Sequence, residues 1–262
     1  MNPDTLSSTL ELLDARECEL VAAFESHPVL AHFERLSREQ VLDILLQRRF
    51  VSLAITPLYE LAIDAFEDPE LKRCLRKILR EEYPSDDRST HREDLVEDLR
   101  VLGANWERIV SSGVTPATAQ CIERLLSALR KREERSMYEV RVLSFVRFAG
   151  ELLVAAEYGC MWPGLRRLGL CGSTEESGVR SKFYKPHMSH DERKVRFSDP
   201  KIILPPKSHS DQLTKLLKAR LLLGGSEAFK ICLEAMHAAV EVKRGFYDPF
   251  LSYANPVQAT SA

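Results

Sequence analysis

The sequence predicts an all-α fold, a single helical domain over residues 1–254 followed by a frayed tail at residues 255–262. Three observations lead to this prediction. Apolar residues recur with the 3.6-residue period of a helix through most of the chain. Alternation typical of a strand is confined to residues 201–204. No apolar heptad persists for three repeats, which argues against a coiled coil and favours a bundle of seven to nine helices.

The first part of the chain contains two helix signals. An apolar stripe at helical spacing marks a helix over residues 5–25, with one gap in the stripe at Glu17. Ser37 begins a capping-box pattern, which predicts that a long helix over residues 38–66 begins there. Because proline disrupts the interior of a helix, Pro57 predicts a kink within this second helix.

Prolines and glycines divide the middle of the chain into further helices. Residues 143–158 are apolar nearly all round, so they form the helical stretch that we expect to be most buried. Residues 169–178 are rich in glycine and serine and are expected to form a loop. The helices of this part are predicted at residues 69–83, 86–102, 116–135 and 137–168.

The helical pattern weakens after residue 180 and returns near the end of the chain. Residues 183–195 could form a helix, and prolines interrupt the chain between residues 200 and 206. Two further helices are predicted at residues 208–223 and 226–250. Because residues 186–209 are mostly polar and contain several prolines, we expect this segment to be only marginally ordered until metal binds.

Composition and charge limit the classes of function. The hydrophobic fraction of 44% and the charged fraction of 29% are typical of a soluble globular protein. A formal net charge of −2 gives no reason to expect nucleic acid as a partner. The chain has no signal-peptide pattern and no apolar run of membrane-spanning length, so we expect no membrane association. Six cysteines without a CxxC pair favour reduced thiols and the cytoplasm.

Several catalytic motifs are absent from the sequence. There is no GxGxxG or GxxxxGK(S/T) loop to hold phosphate, and no GxSxG turn to present a nucleophilic serine. HExxH and paired CxxC zinc motifs are also missing. The chemistry must therefore be sought in other carboxylates and histidines.

The first candidate metal ligands lie around the turn that contains Pro84. Glu81 and Glu82 precede the turn, and Asp87 and His91 come after it four residues apart, on one face of the predicted helix. Such a pair can bind one ion. The alternative is an ordinary surface helix start, in which acidic residues interact favourably with the helix dipole.

Glu157 is the second candidate, because it lies within the apolar helix. An ionised carboxylate in apolar surroundings is costly unless it is paired with a cation or bound to metal. Glu157 could therefore be a metal ligand, or it could pair with an arginine across the bundle. Glu151 is the weaker candidate of the two, since it lies near the start of the apolar stretch and reaches solvent more easily.

The third group of candidates comes after Pro186. His187 and Asp191 are four residues apart, a spacing on one helix face that suits iron or manganese, and His190 lies between them. The alternative is a polar loop that merely contains histidines. His209 precedes the next predicted helix, from which it could reach a site.

Taken in order, these segments resemble the heme-oxygenase-like diiron oxidase superfamily, whose fold is shared with thiaminase-type and PqqC-type proteins. The resemblance covers residues 30–253 and rests on short motifs in the correct order. They are Leu36-Ser37-Arg38-Glu39-Gln40, Glu81-Glu82-Tyr83 with His91, Glu157 ahead of Trp162-Pro163, His187-xxx-Asp191, and Lys243-Arg244-Gly245-Phe246-Tyr247-Asp248.

The resemblance implies a heme-oxygenase-like bundle with two Fe(II) ions per chain and dioxygen as co-substrate. It implies oxidation of a small amino-acid-like or fatty-acid-like metabolite in natural-product biosynthesis. The metal ligands are expected to be Glu82, His91, Glu157, His187 and Asp191, with Glu81, Asp87, His190 and His209 as further candidates. The only partner expected is a small-molecule substrate, and the chain could form a homodimer.

One position departs from the family pattern. The last histidine of the family's HxxxDxxH motif falls at Lys194, which cannot serve as a ligand while it is protonated. Either His190 or His209 substitutes for it, or one of the two ions binds weakly or not at all. Two alternatives therefore stay open: a metal-free enzyme of the thiaminase or PqqC type, in which Cys160 or Cys74 could be a nucleophile, and a helical binding protein without catalysis.

Overall fold

Helices account for most of the chain in the computed structural model, which describes residues 3–84, 88–130, 134–173, 176–199 and 208–254. The all-α fold predicted from the sequence is confirmed. Nine of the helices in these ranges have eleven or more residues. The α-helices are α1 (Pro3–Glu25), α2 (Pro28–Ala31), α3 (Arg38–Leu53), α4 (Ile55–Ala65), α5 (Pro69–Glu82), α6 (His91–Val101), α7 (Trp106–Ser111), α8 (Pro116–Ser127), α9 (Arg135–Phe145), α10 (Leu153–Arg167), α11 (Tyr184–His190), α12 (His209–Tyr247) and α13 (Leu251–Ala254).

The long helix predicted over residues 38–66 is divided at Ala54 rather than at Pro57. Ser37 accepts a hydrogen bond from the backbone N–H of Gln40 and completes the predicted capping box of α3. The break at Ala54 places Pro57 in the first turn of α4. Proline is tolerated there because the first backbone N–H groups of a helix have no carbonyl partner.

The helix predicted over residues 137–168 contains a wider turn. Residues Val146–Leu152 adopt a π-helix between α9 and α10, and every one of them is buried. A π-helical turn holds one residue more than an α-helical turn, so it shifts the faces of the helix after it. This segment carries Glu151, and α10 carries a second buried glutamate, Glu157, six residues later.

The loop predicted at residues 169–178 contains part of a small parallel strand pair. Leu170–Cys171 (β1) pairs with Val179–Arg180 (β2) in the register Leu170 to Val179. The strand-like alternation at residues 201–204 and the tail at residues 255–262 lie outside the described residues. Within the described chain, no helix has the length and apolar character that a bilayer span requires.

Helix α12 bends at Gly225, where φ is 59° and ψ is −147°. Glycine adopts this conformation without the steric strain that a Cβ atom would cause. The bend agrees with the two separate helices predicted over residues 208–223 and 226–250. The first half of α12 begins at the candidate site, and the second half packs into the core beside α1.

A buried ion pair explains the gap in the apolar stripe of α1. Glu17 has no exposed surface, and neither has Arg147 of the π-helical segment. The Arg147 Nη2 atom donates to Glu17 Oε1 at 3.0 Å, and its Nε atom donates to Thr214 Oγ1 at 2.6 Å. Arg193 also pairs with Glu17. These partners compensate for the cost of removing the carboxylate from water.

We expect Glu17→Gln to lower the free energy of unfolding by about 3–5 kcal/mol, because it leaves the Arg147 guanidinium buried without its counter-charge. Urea unfolding followed by circular dichroism measures the loss. The control is Glu19→Gln, which removes an exposed pair with Arg16 and should cost no more than about 1 kcal/mol. Equal effects of the two substitutions would contradict the structural role of the buried pair.

Candidate metal centre

Four carboxylates and four imidazoles converge where the ends of several helices meet. They come from the end of α5, the start of α6, the π-helical segment, α11 with the residue after it, and the start of α12. They form three groups of three, two of which share His209, and in each group one ligand atom from each residue lies within 4.8 Å of the others. The eight residues are Glu81, Glu82, His91, Glu151, His187, His190, Asp191 and His209.

The first group contains Glu82, His91 and His187. Glu82 is the last residue of α5, and His91 is the first residue of α6, whose N-terminus is capped by Thr90. The two helix ends place His91 Nδ1 3.0 Å from Glu82 Oε1. The ring centroids of His91 and His187 are 4.6 Å apart. This arrangement is a set of two histidines and one carboxylate, which suits non-heme iron.

The ring of His187 is oriented for metal binding by its own helix. Its Nδ1 atom donates to the backbone carbonyl of Phe183 at 2.7 Å, which leaves Nε2 with a lone pair. Burial, together with the positive charge of His91, holds the pKa of His187 well below its usual value. His187 is therefore neutral, as a metal ligand must be. Burial lowers the pKa of His91, but Glu82 outweighs burial and raises it, so His91 would release its proton on binding an ion.

His209 belongs to both of the other groups, one with Glu81 and His190 and one with Glu151 and Asp191, and these two are together called the second group. The His209 Nε2 atom lies 3.0 Å from Glu81 Oε2, and its Nδ1 atom lies 3.4 Å from Glu151 Oε2 and 3.6 Å from Asp191 Oδ1. Burial lowers the pKa of His209, but these carboxylates outweigh that effect and raise the pKa to about 12, so His209 carries a proton that a bound cation would have to displace. Burial and the neighbouring Glu151 raise the pKa of Asp191 well above its usual value.

His190 provides an independent indication that a cation fits this cavity. Its buried Nδ1 atom has no hydrogen-bond partner among the described residues. The ring lies 5.9 Å from that of His209 between centroids, and both group with Glu81. A buried ring nitrogen without a partner is costly unless an ion or water uses it. The donor set and this nitrogen together fit a divalent transition metal.

The position of Glu157 corrects the prediction that it is a metal ligand. Arg48 donates to both of its oxygens at 2.7 Å, and Lys243 Nζ lies 3.2 Å from Oε2. Tyr247 donates a further hydrogen bond to Oε1. Burial alone would raise the pKa of Glu157, but Arg48 and Lys243 outweigh burial and lower it to about 2. Glu157 therefore has the arginine partner that the sequence allowed as the alternative.

Glu151 lies in the cavity instead, although the sequence ranked it below Glu157. It is 3% exposed and lies in the π-helical segment, and Glu157 lies on α10 six residues later. Six residues of a regular helix rotate a side chain by about 600°, so the two glutamates face different sides of the bundle. Glu151 therefore contacts His209, whereas Glu157 contacts Arg48.

Lys194 takes no part in the site. Helix α11 ends at His190, so residue 194 no longer shares a helix face with His187. The backbone N–H groups of Lys194 and Val195 donate to Asp211, and the exposed Lys194 side chain lies 3.8 Å from Glu192. His209 supplies the additional imidazole. This placement agrees with the expectation from the sequence that His190 or His209 takes the role of the histidine that Lys194 replaces.

Asp98 fixes the start of the helix that carries His187. It is 1% exposed and accepts hydrogen bonds from Ser181 Oγ at 2.6 Å and from the backbone N–H groups of residues 182–184 at 2.9–3.3 Å. Since Asp98 belongs to α6, it joins the helix that begins with His91 to α11. The geometry of the first group therefore depends on one buried carboxylate.

Two further aspartates hold the chain after α11. Asp14 accepts hydrogen bonds from the backbone N–H groups of residues 197–198, and Asp211 accepts those of residues 194–195. The sequence predicts that residues 186–209 depend on metal for their order. These hydrogen bonds provide a source of order that needs no metal for the described part of the segment.

The remaining sequence candidates contribute less. Asp87 lies outside the described residues. None of the six cysteines lines the cavity, and none belongs to the three ligand groups found among the described residues. Burial raises the pKa of the Cys74 thiol and raises that of Cys160 to about 11, so neither is activated as a nucleophile.

Comparison with solved structures identifies the fold. The structure is similar to that of a TenA family transcription regulator from Silicibacter sp. TM1040, with a TM-score of 0.58. The alignment covers 93% of this chain and 96% of the other, with 13% sequence identity. Comparisons with protein-family models and with curated protein sequences gave no match. The chain therefore has the all-α heme-oxygenase-like fold, and a fold does not by itself establish a function.

The Glu157 cluster gives a prediction for pH. Because the pKa of Glu157 is lower in the folded protein than its ordinary 4.5, its contribution to stability is present above pH 4.5 and is lost as the pH falls towards 2. Glu157→Gln should therefore be less stable than the wild type by about 3–5 kcal/mol at pH 7, with the difference shrinking between pH 4.5 and 2.

Urea unfolding of the metal-free proteins at a series of pH values measures this difference. The control is Glu234→Gln, which removes an exposed pair with Lys230 and should give a small, pH-independent difference. A Glu157→Gln difference that stays constant from pH 7 to pH 2 would contradict the assignment of the ionised glutamate to Arg48 and Lys243.

Proposed function

We propose that the protein is a non-heme iron enzyme that binds two Fe(II) ions per chain and uses dioxygen to oxidise a small metabolite. The observation that carries the proposal is the convergence of four carboxylates and four imidazoles, together with the buried Nδ1 atom of His190, which has no hydrogen-bond partner among the described residues. Four carboxylates balance the charge of two divalent cations, and di-iron carboxylate bundles also use four carboxylates, although with two imidazoles rather than four.

The two groups divide the ligands between two ions. Glu82, His91 and His187 would hold the first ion, and Asp191 and His209 would hold the second, with Glu81, Glu151 and His190 as its further ligands. Bound iron would supply the activation of dioxygen. The protein supplies the orientation of the imidazoles, as the hydrogen bond from His187 Nδ1 to the Phe183 carbonyl does for His187.

The rest of the cavity wall supports a small substrate with an apolar part and an acidic group. Ile78, Leu95, Val154 and Phe183 provide apolar surface. Arg48 also lines the cavity and donates to Ser52 Oγ at 2.8 Å. Arg48 and Lys243 carry two positive charges and Glu157 carries one negative charge, so this cluster has one positive charge in excess. An amino-acid-like or fatty-acid-like metabolite has the complementary carboxylate.

A second candidate is a metal-free enzyme of the thiaminase or PqqC type, and the similarity in fold to a TenA family protein favours it. In that case the same carboxylates and histidines would bind substrate and transfer protons. Because no cysteine lines the cavity among the described residues, this enzyme would rely on acid–base groups such as Glu82 and His91.

Metal analysis after anaerobic reconstitution with Fe(II) separates these candidates. We expect about two iron ions per chain for the wild type, and about one for His187→Ala or for His209→Ala, because each variant loses an imidazole from a different group. The control is His237→Ala, which removes an exposed histidine outside the three groups and should leave the iron content unchanged.

Each result has a definite interpretation. A wild-type iron content near zero would contradict the iron proposal and favour the metal-free enzyme. A content near one that is lost in His187→Ala and kept in His209→Ala would indicate a mononuclear centre at Glu82, His91 and His187. Oxygen consumption by the loaded protein, compared with free Fe(II), then tests whether the centre reacts with dioxygen.

A further inference from the structure

Tyr59 lies behind Glu151, on the side away from the cavity. Its side chain is completely buried in α4, and its hydroxyl donates a hydrogen bond to Glu151 Oε1. Tyr59 does not line the cavity and belongs to none of the three ligand groups found in the described part of the chain. Its hydroxyl is therefore available to orient a ligand without contacting an ion or a substrate.

Gly150 makes the approach of Tyr59 possible. A Cβ atom at residue 150 would lie 3.0 Å from the Tyr59 hydroxyl oxygen and 3.3 Å from its ring. Such a contact is tighter than ordinary van der Waals packing, so a side chain here would push the phenol away by a few tenths of an ångström. The π-helical segment and its glycine thus bring the backbone beside Glu151 close to Tyr59.

The two oxygens of Glu151 have different surroundings. Oε1 accepts the hydrogen bond from Tyr59, whereas Oε2 lies 3.4 Å from His209 Nδ1. Glu151 groups with Asp191 and His209, and it does not group with Glu82, His91 and His187. The carboxylate is therefore oriented so that Oε1 is bound by Tyr59 and Oε2 faces the other residues of the second group.

We propose that Tyr59 is the positioning residue of the second ion. By holding Oε1, it reserves Oε2 of Glu151 for the ion bound with Asp191 and His209, so Glu151 serves one ion rather than bridging both. This inference rests on the proposed function, because it requires that two ions bind. It makes the two positions unequal: the second depends on Tyr59, and the first does not.

Titration with Co(II), which gives visible absorption when bound, tests the inference without any measurement of activity. In Tyr59→Phe we expect the affinity of the first ion to stay unchanged and that of the second to fall by about 10–100-fold, the usual effect of losing a hydrogen bond to a ligand. We also expect the absorption of the second ion to change, because Oε1 becomes free to coordinate it.

The matched control is Tyr184→Phe, since the Tyr184 hydroxyl is buried and has no hydrogen-bond partner among the described residues. This variant should bind both ions as the wild type does. Gly150→Ala provides a second test, because its methyl group pushes against the Tyr59 hydroxyl while both tyrosine and glutamate remain. It should weaken the second ion selectively, and by less than Tyr59→Phe does.

The outcomes distinguish this inference from the proposed function. If the wild type binds two Co(II) ions and Tyr59→Phe binds both with wild-type affinity and spectrum, the positioning role is wrong and the two-metal centre stands. If Tyr59→Phe weakens both ions equally, Tyr59 has a general structural role, and the inference also fails. If the wild type binds no Co(II), the proposed centre and the inference fail together.

Discussion

The cost of removing carboxylates from water determines much of this structure. Most buried acids have permanent partners. Glu17 forms ion pairs with Arg147 and Arg193, and Glu157 forms ion pairs with Arg48 and Lys243. Hydrogen bonds from backbone N–H groups satisfy Asp14, Asp98 and Asp211. The acids of the cavity have few such partners beyond histidines and the Tyr59 hydroxyl. This difference separates the structural acids from the candidate ligands. It also explains why a buried glutamate alone is weak evidence for a metal site.

The permanently paired acids and the cavity acids depend on each other. Asp98 holds α11 in place, and with it the ring of His187. Asp211 turns the chain after Asp191, so that His209 of the next helix can approach the cavity. Because these hydrogen bonds are made within the protein, the histidines and carboxylates are brought together before an ion arrives. A centre that is organised in this way loses little conformational entropy when it binds metal.

Most of the fold could be predicted from the sequence, because periodicity and caps locate most helices. The four-residue spacing of His187 and Asp191 reflects one short helix and its C-cap residue. Which of Glu151 and Glu157 faces the cavity could not be decided, because Arg48, the partner of Glu157, lies far away in sequence. Proximity of His209 to Glu81 is likewise a property of tertiary structure alone.

The position of helix α12 late in the sequence limits when two parts of the structure can form during synthesis. The residues of the first group are all present once α11 has been synthesised, whereas His209 enters with α12, the last long helix of the described chain. The same helix carries Lys243, which helps to neutralise Glu157 in the core. A nascent chain on the ribosome therefore cannot complete its second group until α12 has begun, and it cannot complete its core ion pair until the same helix reaches Lys243. Both the cavity and the charged cluster in the core thus wait for one helix.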